Sequence, residues 1–317
     1  MVKGLLEKNQ IYQGDATTLL GGIAADSIAL SFWSPPYFVG KPYERELSFN
    51  EWKKLLAVTI EKHFPIIKPG GFLIINIADI LSFKDSSMPR IQANVISRLN
   101  SSVTKEDVLR AKEKYPDYNR YQLAEILGCS EQTVDRRLHG NNIRGGKYMP
   151  QTKVYLVGGV IQEWAQKAGF YLYDRRMWAK DPAWQNSSWH SLSYRAVDEV
   201  EYLYIFWKPG VTCVDRTRLS KKEWSEWGYR AVWRIASVRA NNDHPAKFPL
   251  ELARRVIRLF SSKGDTVLDC FMGSGTTAVA AIIEGRDYLG IELSEEYIKL
   301  SKENCRLARQ KYPHLFP

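Results

Sequence analysis

Two stretches of the chain combine residue types that could hold a charged small molecule and act beside it. The first is Ser34-Pro35-Pro36-Tyr37, at the end of the apolar run Ser27-Ile28-Ala29-Leu30-Ser31-Phe32-Trp33. Pro36 has no N–H and cannot continue a central ladder, and Pro35 drives Ser34 toward an extended conformation. A strand therefore ends here, leaving carbonyls, a hydroxyl and an aromatic ring at its carboxyl edge. In an α/β sheet that edge is where ligands bind. The second stretch is Asp269-Cys270-Phe271-Met272-Gly273-Ser274-Gly275-Thr276-Thr277, followed by an apolar segment that ends in Glu292.

The second stretch reads as strand, Gly-rich turn and helix, then a strand ending in an acid, which is a mononucleotide-binding βαβ pattern. Gly273 and Gly275 let backbone N–H groups and a helix N-terminus approach an anionic group. Glu292 can accept both hydroxyls of a ribose. There is no Gly-Lys-Ser/Thr, so this is not a phosphate loop. Thr276 follows Gly275 directly, so the G-x-G-x-x-G dinucleotide form is absent as well. Asp269 with Ser274 and Thr276 suits the zwitterionic tail of an amino acid better than a pyrophosphate. The ligand expected from these residues is S-adenosylmethionine.

The elements that must position these motifs alternate. A strand over 9–14 and a helix or turn over 16–25 precede the strand 27–33. A helix is expected over 51–67, with Asn50 as N-cap and Trp52, Leu55, Leu56, Thr59, Ile60 and Phe64 on its apolar face. Lys68-Pro69-Gly70-Gly71 reads as a turn, and Phe72–Ile77 as a strand buried on both faces. The pattern resumes at Val154 with a helix to about Lys167 and a strand from Gly169 to Trp178. A loop over 181–197 leads to the strand Glu201–Trp207. A helix through Phe260, strands at 266–271 and 287–292, and helices at 276–285 and 294–311 complete it.

Between them the pattern changes. Residues 81–102 are polar and irregular. Thr104–Lys114, Tyr121–Leu127 and a helix capped by Ser130 through Leu138 follow, with a tight turn at Gly128-Cys129. Ala124, Val134 and Leu138 would pack inward in a helix-turn-helix pattern. That leaves Glu131, Gln132, Thr133, Arg136 and Arg137 outward, where they can read a major groove or contact phosphates. A Gly-rich basic hinge with Arg144 and Lys147 follows. A plain packing insert is the alternative, and the flanking basic residues favour DNA contact. Residues 211–243 interleave Arg and Lys with Trp224, Trp227 and Trp233. This suits phosphate contact and base stacking, and equally a solvated loop pinned by its tryptophans.

Composition sets the frame. The chain has 317 residues, 44% apolar and 25% charged, with net charge +10 and pI near 9.3. This describes a globular protein tilted toward a polyanionic partner. Cys129, Cys213, Cys270 and Cys305 have no metal-binding spacing, so no metal site and a reducing compartment are expected. No signal peptide or membrane span is legible at the N-terminus or elsewhere, so a cytoplasmic location is expected.

Asp269–Thr277 resembles the cofactor loop of bacterial DNA amino-methyltransferases. Ser34-Pro35-Pro36-Tyr37 looks like their catalytic motif, and His244-Pro245-Ala246-Lys247-Phe248-Pro249 is similar to the segment preceding their cofactor loop. With the catalytic motif first and the cofactor loop last, the order resembles the family's β group. The resemblance covers about 9–80 and 154–310. It implies a Rossmann-like α/β fold with a mostly parallel sheet and helices on both faces. On that reading 1–97 and 154–317 form the catalytic domain, 208–243 is a possible target-recognition loop, and 98–153 is an added helical DNA-recognition insert. The donor site would comprise Asp15, Lys247, Phe248, Pro249, Asp269, Phe271, Gly273, Ser274, Gly275, Thr276 and Glu292. The insert departs from the β-group pattern, in which target recognition lies before the His244 segment; here either region can read sequence.

The resemblance also implies a mechanism. The Ser34 hydroxyl and the Pro35 carbonyl would accept the two protons of an exocyclic amino group, and Tyr37 would stack on a base extruded from duplex DNA. Ser at the first motif position goes, in that family, with cytosine N4, whereas Asp there goes with adenine N6. Cytosine-N4 methylation is therefore expected, with adenine-N6 as the alternative. Carbon-5 methylation needs a thiolate, and no cysteine lies near this motif. A helix-turn-helix regulator with an inactive methylase domain and an RNA or small-molecule methyltransferase are competing classes. A cognate restriction endonuclease and a monomer or homodimer would fit the expected function.

Overall fold

A computed structural model describes residues 5–38, 47–89, 102–139, 151–183, 194–238 and 247–312. Two compact units divide the chain: 1–83 with 154–187 and 197–317, and 84–153 with 188–196.

The first unit is built on an eight-stranded sheet with helices on both faces. Its strands are β1 (Gln10–Gln13), β2 (Ile28–Trp33), β3 (Ile67–Ile77), β6 (Tyr171–Ala183), β7 (Asp198–Trp207), β8 (Val232–Arg234), β9 (Thr266–Asp269) and β10 (Asp287–Glu292). The two strands between β3 and β6, β4 (Ile80–Lys84) and β5 (Thr152–Tyr155), pair in a separate two-stranded sheet. The order across the large sheet is β1-β10-β9-β2-β3-β7-β6-β8. Pairing is parallel from β1 through β3, then β7 runs antiparallel to both β3 and β6, and β8 returns parallel to β6. The fold is thus α/β with a mixed sheet, parallel where the two motifs lie.

Alternation along the strands feeds two cores. Phe72 and Ile74 of β3, with Leu203 and Ile205 of β7, face one core; Leu73 and Ile75, with Tyr204 and Phe206, face the other. The helices α1 (Ala16–Leu19), α2 (Phe49–Ile66) and α6 (Val157–Ala168) cover the second face. The first is covered by α8 (Leu250–Phe260), α9 (Thr276–Ile283) and α10 (Glu295–Lys311). In α8 the buried Leu252, Ala253, Val256 and Ile257 form one stripe, so the helix docks on a single side. A fully buried Leu, Val or Ile side chain contributes roughly 1.5–3 kcal/mol.

Several local readings need correction. Ser48, not Asn50, caps α2: its hydroxyl accepts from Glu51 N while Glu51 accepts from Ser48 N, a capping box that starts the helix at Phe49. The turn expected at 68–71 belongs to β3, which bulges there: four residues separate Ile67 from Phe72 while only Ala29 separates their partners. A side chain has no room at Gly70, where a Cβ would sit 2.1 Å from the Val211 carbonyl oxygen. β4 lies in the stretch expected to be irregular. Val154 belongs to β5, so α6 starts later than expected, and β6 runs on into the expected 181–197 loop.

The interval 211–238 holds a short helical turn α7 (Lys221–Glu223), a π-helical turn (Trp224–Gly228) and β8. Trp227 and Trp233 are buried in the core, and Arg218 donates to the Leu259 carbonyl and Ser262 Oγ. The tryptophans do pin this segment, while Arg216, Lys221, Lys222, Arg230 and Arg234 remain exposed.

The second unit contains three helices, α3 (Lys105–Lys114), α4 (Arg120–Leu127) and α5 (Glu131–His139). Thr104 and Asn119 cap the first two through reciprocal capping boxes. Gly128 ends α4 at φ 60°, a left-handed corner that suits glycine. Val103, Val108, Ala111, Leu123, Ala124 and Val134 form a small core of their own, with Leu138 packed against it. Among the described residues no helix is long and apolar enough to cross a membrane.

Candidate active site

The sheet order brings the two motifs together. From β9 the chain passes through α9 to β10 on one side, and from β2 through α2 to β3 on the other. The direction of winding reverses between β9 and β2, and a crevice opens at the carboxyl ends of strands at such a switch point. β2 and β9 pair in parallel, with Leu30 opposite Val267 and Ser31 opposite Leu268. Ser34 and the Asp269–Thr277 loop therefore leave adjacent strands at the same edge. The Trp33 and Phe271 rings meet edge to face at 5.4 Å, tying one motif to the other.

β1 and β10 end on that edge too. Gln13 lies opposite Glu292, and Gly14 N donates to the Glu292 carbonyl at 2.9 Å, so Asp15 follows directly beside Glu292. Asp15 caps α1, accepting from Thr17 Oγ1 and Thr18 N. Phe248 is buried with its ring 5.1 Å from Phe32, and Pro249 occupies the N-cap position of α8, so this segment borders β2. Lys247 is half-buried next to them. His244, Pro245 and Ala246 lie outside the described residues.

Two carboxylates shape the Gly-rich loop. Glu292 Oε2 accepts from Gly273 N at 2.7 Å, and its Oε1 accepts from Leu293 N and Ser294 N at 2.9 Å each. Three backbone donors thus fix the carboxylate's orientation, and lone-pair capacity remains for a ligand hydroxyl. Asp269 is buried and accepts from Phe271 N at 3.0 Å and Thr277 Oγ1 at 2.6 Å. It braces the loop from within. Ser274 is held by Asn304, whose amide donates to its carbonyl at 2.9 Å. Thr276 begins α9, and its hydroxyl lies 3.4 Å from Ser274 Oγ.

Gly273 and Gly275 adopt φ 51° and 86°, the left-handed region where a side chain is strained. A Cβ on Gly275 would come 2.9 Å from Ser301 Cβ. Gly275 also caps α9 without a side chain, so the N–H donors of that first turn are not taken by a cap. A glycine cradle, a helix N-terminus and a fixed carboxylate together fit a ligand with an amino-acid carboxylate and a ribose.

Burial pushes the Asp269 carboxyl up to about 7, and the nearby Glu292 charge adds to this against the two hydrogen bonds. An Asp carboxyl ordinarily ionises near 3.8, so its contribution to stability is complete below that pH and is lost as pH rises toward 7. His63, buried under Trp33, has its imidazole pushed down from 6.5 to about 4 by desolvation. Its contribution is complete above 6.5 and is lost as pH falls toward 4, so the two slopes oppose each other. Asp269→Asn should expose the His63 slope: the melting temperature of this variant should rise between pH 4 and 6.5 more steeply than that of the parent. Thermal unfolding across that range measures it, and parallel curves would refute the Asp269 assignment.

The first motif carries a polar network that the sequence reading missed. Ser34 Oγ donates to Tyr37 Oη at 2.8 Å, and Tyr37 Oη donates to Glu201 Oε2 at 2.6 Å. Asn76 Nδ2 donates to Tyr37 Oη at 2.9 Å and to Glu201 Oε2 at 2.6 Å. Lys180 Nζ lies 2.6 Å from Glu201 Oε1 and 3.7 Å from Asp198. Pro36 offers its carbonyl to Trp52 Nε1 at 2.7 Å, which anchors the motif to α2, and Pro35 is buried. Asn76 is a polar residue in the otherwise apolar run Phe72–Ile77, and that mismatch is the signal that could have found it; Glu201 follows Asp198 and Glu199 in β7 and carries no such signal.

The comparisons with known proteins agree with this geometry. A family model described as DNA methylase, of the N6/N4 type, matches residues 28–303. The chain belongs to the N6/N4 DNA methylase family. It is a DNA amino-methyltransferase of the kind found in bacterial restriction–modification systems, and its methyl donor is S-adenosyl-L-methionine. It is 60% identical over 299 residues to the type II methyltransferase M.BglI of Bacillus subtilis, covering 94% of this chain and 86% of that protein. It is 27% identical to the DNA adenine methyltransferase YhdJ of Escherichia coli (strain K12), across 95% of this chain and 84% of YhdJ.

Among solved structures, the methyltransferase resembles the DNA modification methylase TTHA0409 of Thermus thermophilus, complexed with S-adenosyl-L-methionine. The TM-score is 0.61 at 24% identity, over 94% of this chain and 93% of that one. The cytosine-N4-specific PvuII DNA methyltransferase matches with a TM-score of 0.56 at 18% identity, over 98% and 93%. These likenesses establish the fold.

In the second unit, Gln132 and Arg136 of α5 are exposed. Thr133 is engaged with Ser130, and Arg137 Nε donates to the Val103 carbonyl at 2.9 Å. Arg144 and Lys147 lie outside the described residues. No group of His, Cys, Asp or Glu suited to a metal ion occurs among the described residues.

Proposed function

We propose that this methyltransferase acts on the exocyclic N4 of cytosine in duplex DNA, drawing the base out of the stack to Ser34-Pro35-Pro36-Tyr37. The observation that carries the reading is a serine hydroxyl at the first motif position, at the sheet's switch point beside the donor loop. An exocyclic amine is a poor nucleophile because its lone pair is delocalised into the ring. Ser34 Oγ and the Pro35 carbonyl accept its two protons, draw the nitrogen toward tetrahedral geometry and aim its lone pair. Tyr37 stacks on the base, with its hydroxyl tethered so that the ring plane is fixed. Bound S-adenosyl-L-methionine supplies an electrophilic methyl group for in-line displacement; the chain supplies alignment and acceptors. Cys270 takes no part as a nucleophile: it is buried and its thiol is pushed well above the usual range.

Target choice is assigned to α5 of the helical unit, read as the second helix of a helix-turn-helix. Exposed Gln132 and Arg136, with Thr133, Arg137, Arg144 and Lys147, contact bases and phosphates. Arg216, Lys221, Lys222, Arg230 and Arg234 add phosphate contacts. The enzyme protects host sites from a cognate restriction endonuclease.

The test is to incubate the protein with labelled S-adenosyl-L-methionine and duplex DNA, RNA or free metabolites, then digest and identify the labelled nucleoside. N4-methylcytosine from duplex DNA is expected, and Gln132→Ala with Arg136→Ala should broaden the set of methylated sites. Label in N6-methyladenine would overturn the cytosine assignment, and label only in RNA or metabolites would overturn DNA as substrate. Site-specific DNA binding without label would leave a regulator.

A further inference from the structure

The polar network behind Tyr37 has a direction. Tyr37 Oη receives from Ser34 Oγ and from Asn76 Nδ2. It has one proton to give, and among the described residues two acceptors lie within reach: Glu201 Oε2 at 2.6 Å and the Asn76 main-chain carbonyl at 3.1 Å. The shorter bond to a carboxylate is the stronger. The hydroxyls therefore align as Ser34 to Tyr37 to Glu201. With its own proton committed to Tyr37, Ser34 Oγ presents its lone pairs to an incoming amino group.

We propose that Glu201 is the proton terminus of the methyl transfer, reached from the target amino nitrogen through the Ser34 and Tyr37 hydroxyls. This rests on the amino-methylation read above. The nitrogen lone pair forms the new N–C bond, the C–S bond breaks, and its electron pair stays on sulfur. The methylated nitrogen is then cationic and must lose one proton. That proton passes to Ser34 Oγ as the Ser34 proton passes to Tyr37 Oη and the Tyr37 proton to Glu201 Oε2. The products are a neutral methylamino base, a neutral thioether and a protonated Glu201, which returns its proton to solvent.

The surroundings of Glu201 suit the task. Lys180 on β6 holds Oε1, so the carboxylate is oriented and its charge is balanced until the proton arrives. Asn76 on β3 holds Oε2 in line with Tyr37. Asp198, on the same strand, lies across Lys180, and burial with the Glu201 charge beside it raises its carboxyl above the ordinary range. These, with Tyr37 itself, are the titratable and charged groups facing Glu201 among the described residues.

The experiment compares Glu201→Gln, Tyr37→Phe and the double variant with the parent, after confirming that each unfolds cooperatively and binds S-adenosyl-L-methionine by calorimetry as the parent does. Glu201→Gln keeps an acceptor for Tyr37 but takes no proton; Tyr37→Phe keeps the stacking ring and removes the relay. Each should lower kcat about 10- to 100-fold, at or below the usual range for proton-transfer catalysis, while KM for donor and DNA changes less than about twofold. The double variant should be no slower than the worse single variant, because both cut one path. Unchanged kcat in Glu201→Gln, or losses that multiply in the double variant, would each overturn the proposal. If Glu201→Gln fails to fold, Tyr37→Phe alone decides: a lowered kcat supports the relay and parental kcat refutes it. A parent that methylates no amino base in DNA would instead refute the underlying reading.

Discussion

Ser34→Ala should lower kcat by about 10²- to 10³-fold while leaving S-adenosyl-L-methionine affinity within about twofold. The size follows from removing one preorganised hydrogen-bond partner of the reacting group, which is worth roughly 2.7–4 kcal/mol in a water-excluded site. The affinity is spared because Ser34 leaves β2, whereas the donor loop is braced by Asp269, Thr277 and Glu292. The fold is spared because the Ser34 hydroxyl bonds to Tyr37, which retains Asn76 and Glu201. Single-turnover methylation and calorimetric donor titration separate the two quantities. Parental kcat would remove Ser34 from the chemistry; lost donor affinity would mean that it shapes the cofactor site instead. Because Ser34 is both the acceptor at the amino group and the first hydroxyl of the path to Glu201, its loss should equal or exceed that of Tyr37→Phe.

Glu292→Ala should weaken S-adenosyl-L-methionine binding by at least about 100-fold. Two effects add. The variant loses the acceptor assigned to the ribose hydroxyls, and a hydrogen bond to a charged group contributes about 1.5–3 kcal/mol. It also orphans the N–H groups of Gly273, Leu293 and Ser294, all of which point at this carboxylate. Gly273 sits at φ 51° partly because its N–H is held there, so the cradle loses its template. Glu292→Gln should recover part of the loss, since its carbonyl oxygen still accepts one of the bonds. Equal affinities for parent and Glu292→Ala in calorimetry would sink the assignment. The sheet itself should survive, because β10 is held by backbone pairing to β1 and β9.

Much of this architecture was readable because its signals are local. The strand at Ile28–Trp33 ends where Pro35-Pro36 forbids a ladder, and the αL glycines of the donor loop sit where strand gives way to helix. The α3, α4 and α5 helices carry their own apolar stripe and local caps, so nothing distant had to be known to place them. What escaped was set by partners far along the chain. Lys68-Pro69-Gly70-Gly71 has turn chemistry, yet it stays in β3 because Lys208 pairs with it from beyond the end of β7. Asn50 lost the capping position to Ser48 because the Glu51 carboxylate reaches back to the Ser48 N–H. For Trp227 and Trp233 the residues left base stacking and a pinned loop equally open; both rings fill the core over α8, where Arg255 lies on both. Glu201 and Asn76 are 125 residues apart. Only the antiparallel pairing of β3 with β7 brings them to Tyr37, and sequence spacing carries no trace of it.

The segment that carries α3, α4 and α5 is closed at its base. Asp85 N donates to the Gln151 carbonyl at 3.0 Å, and Lys153 bridges Asp85 at 2.6 Å. The two ends of a long segment are therefore pinned side by side, and closing that loop costs little more than closing a short one. With its own apolar core, the segment behaves as a cassette. It can be lengthened, exchanged or lost without disturbing the strands that carry Ser34 and Glu292. Change within this segment is thus separated along the chain from the residues of both motifs.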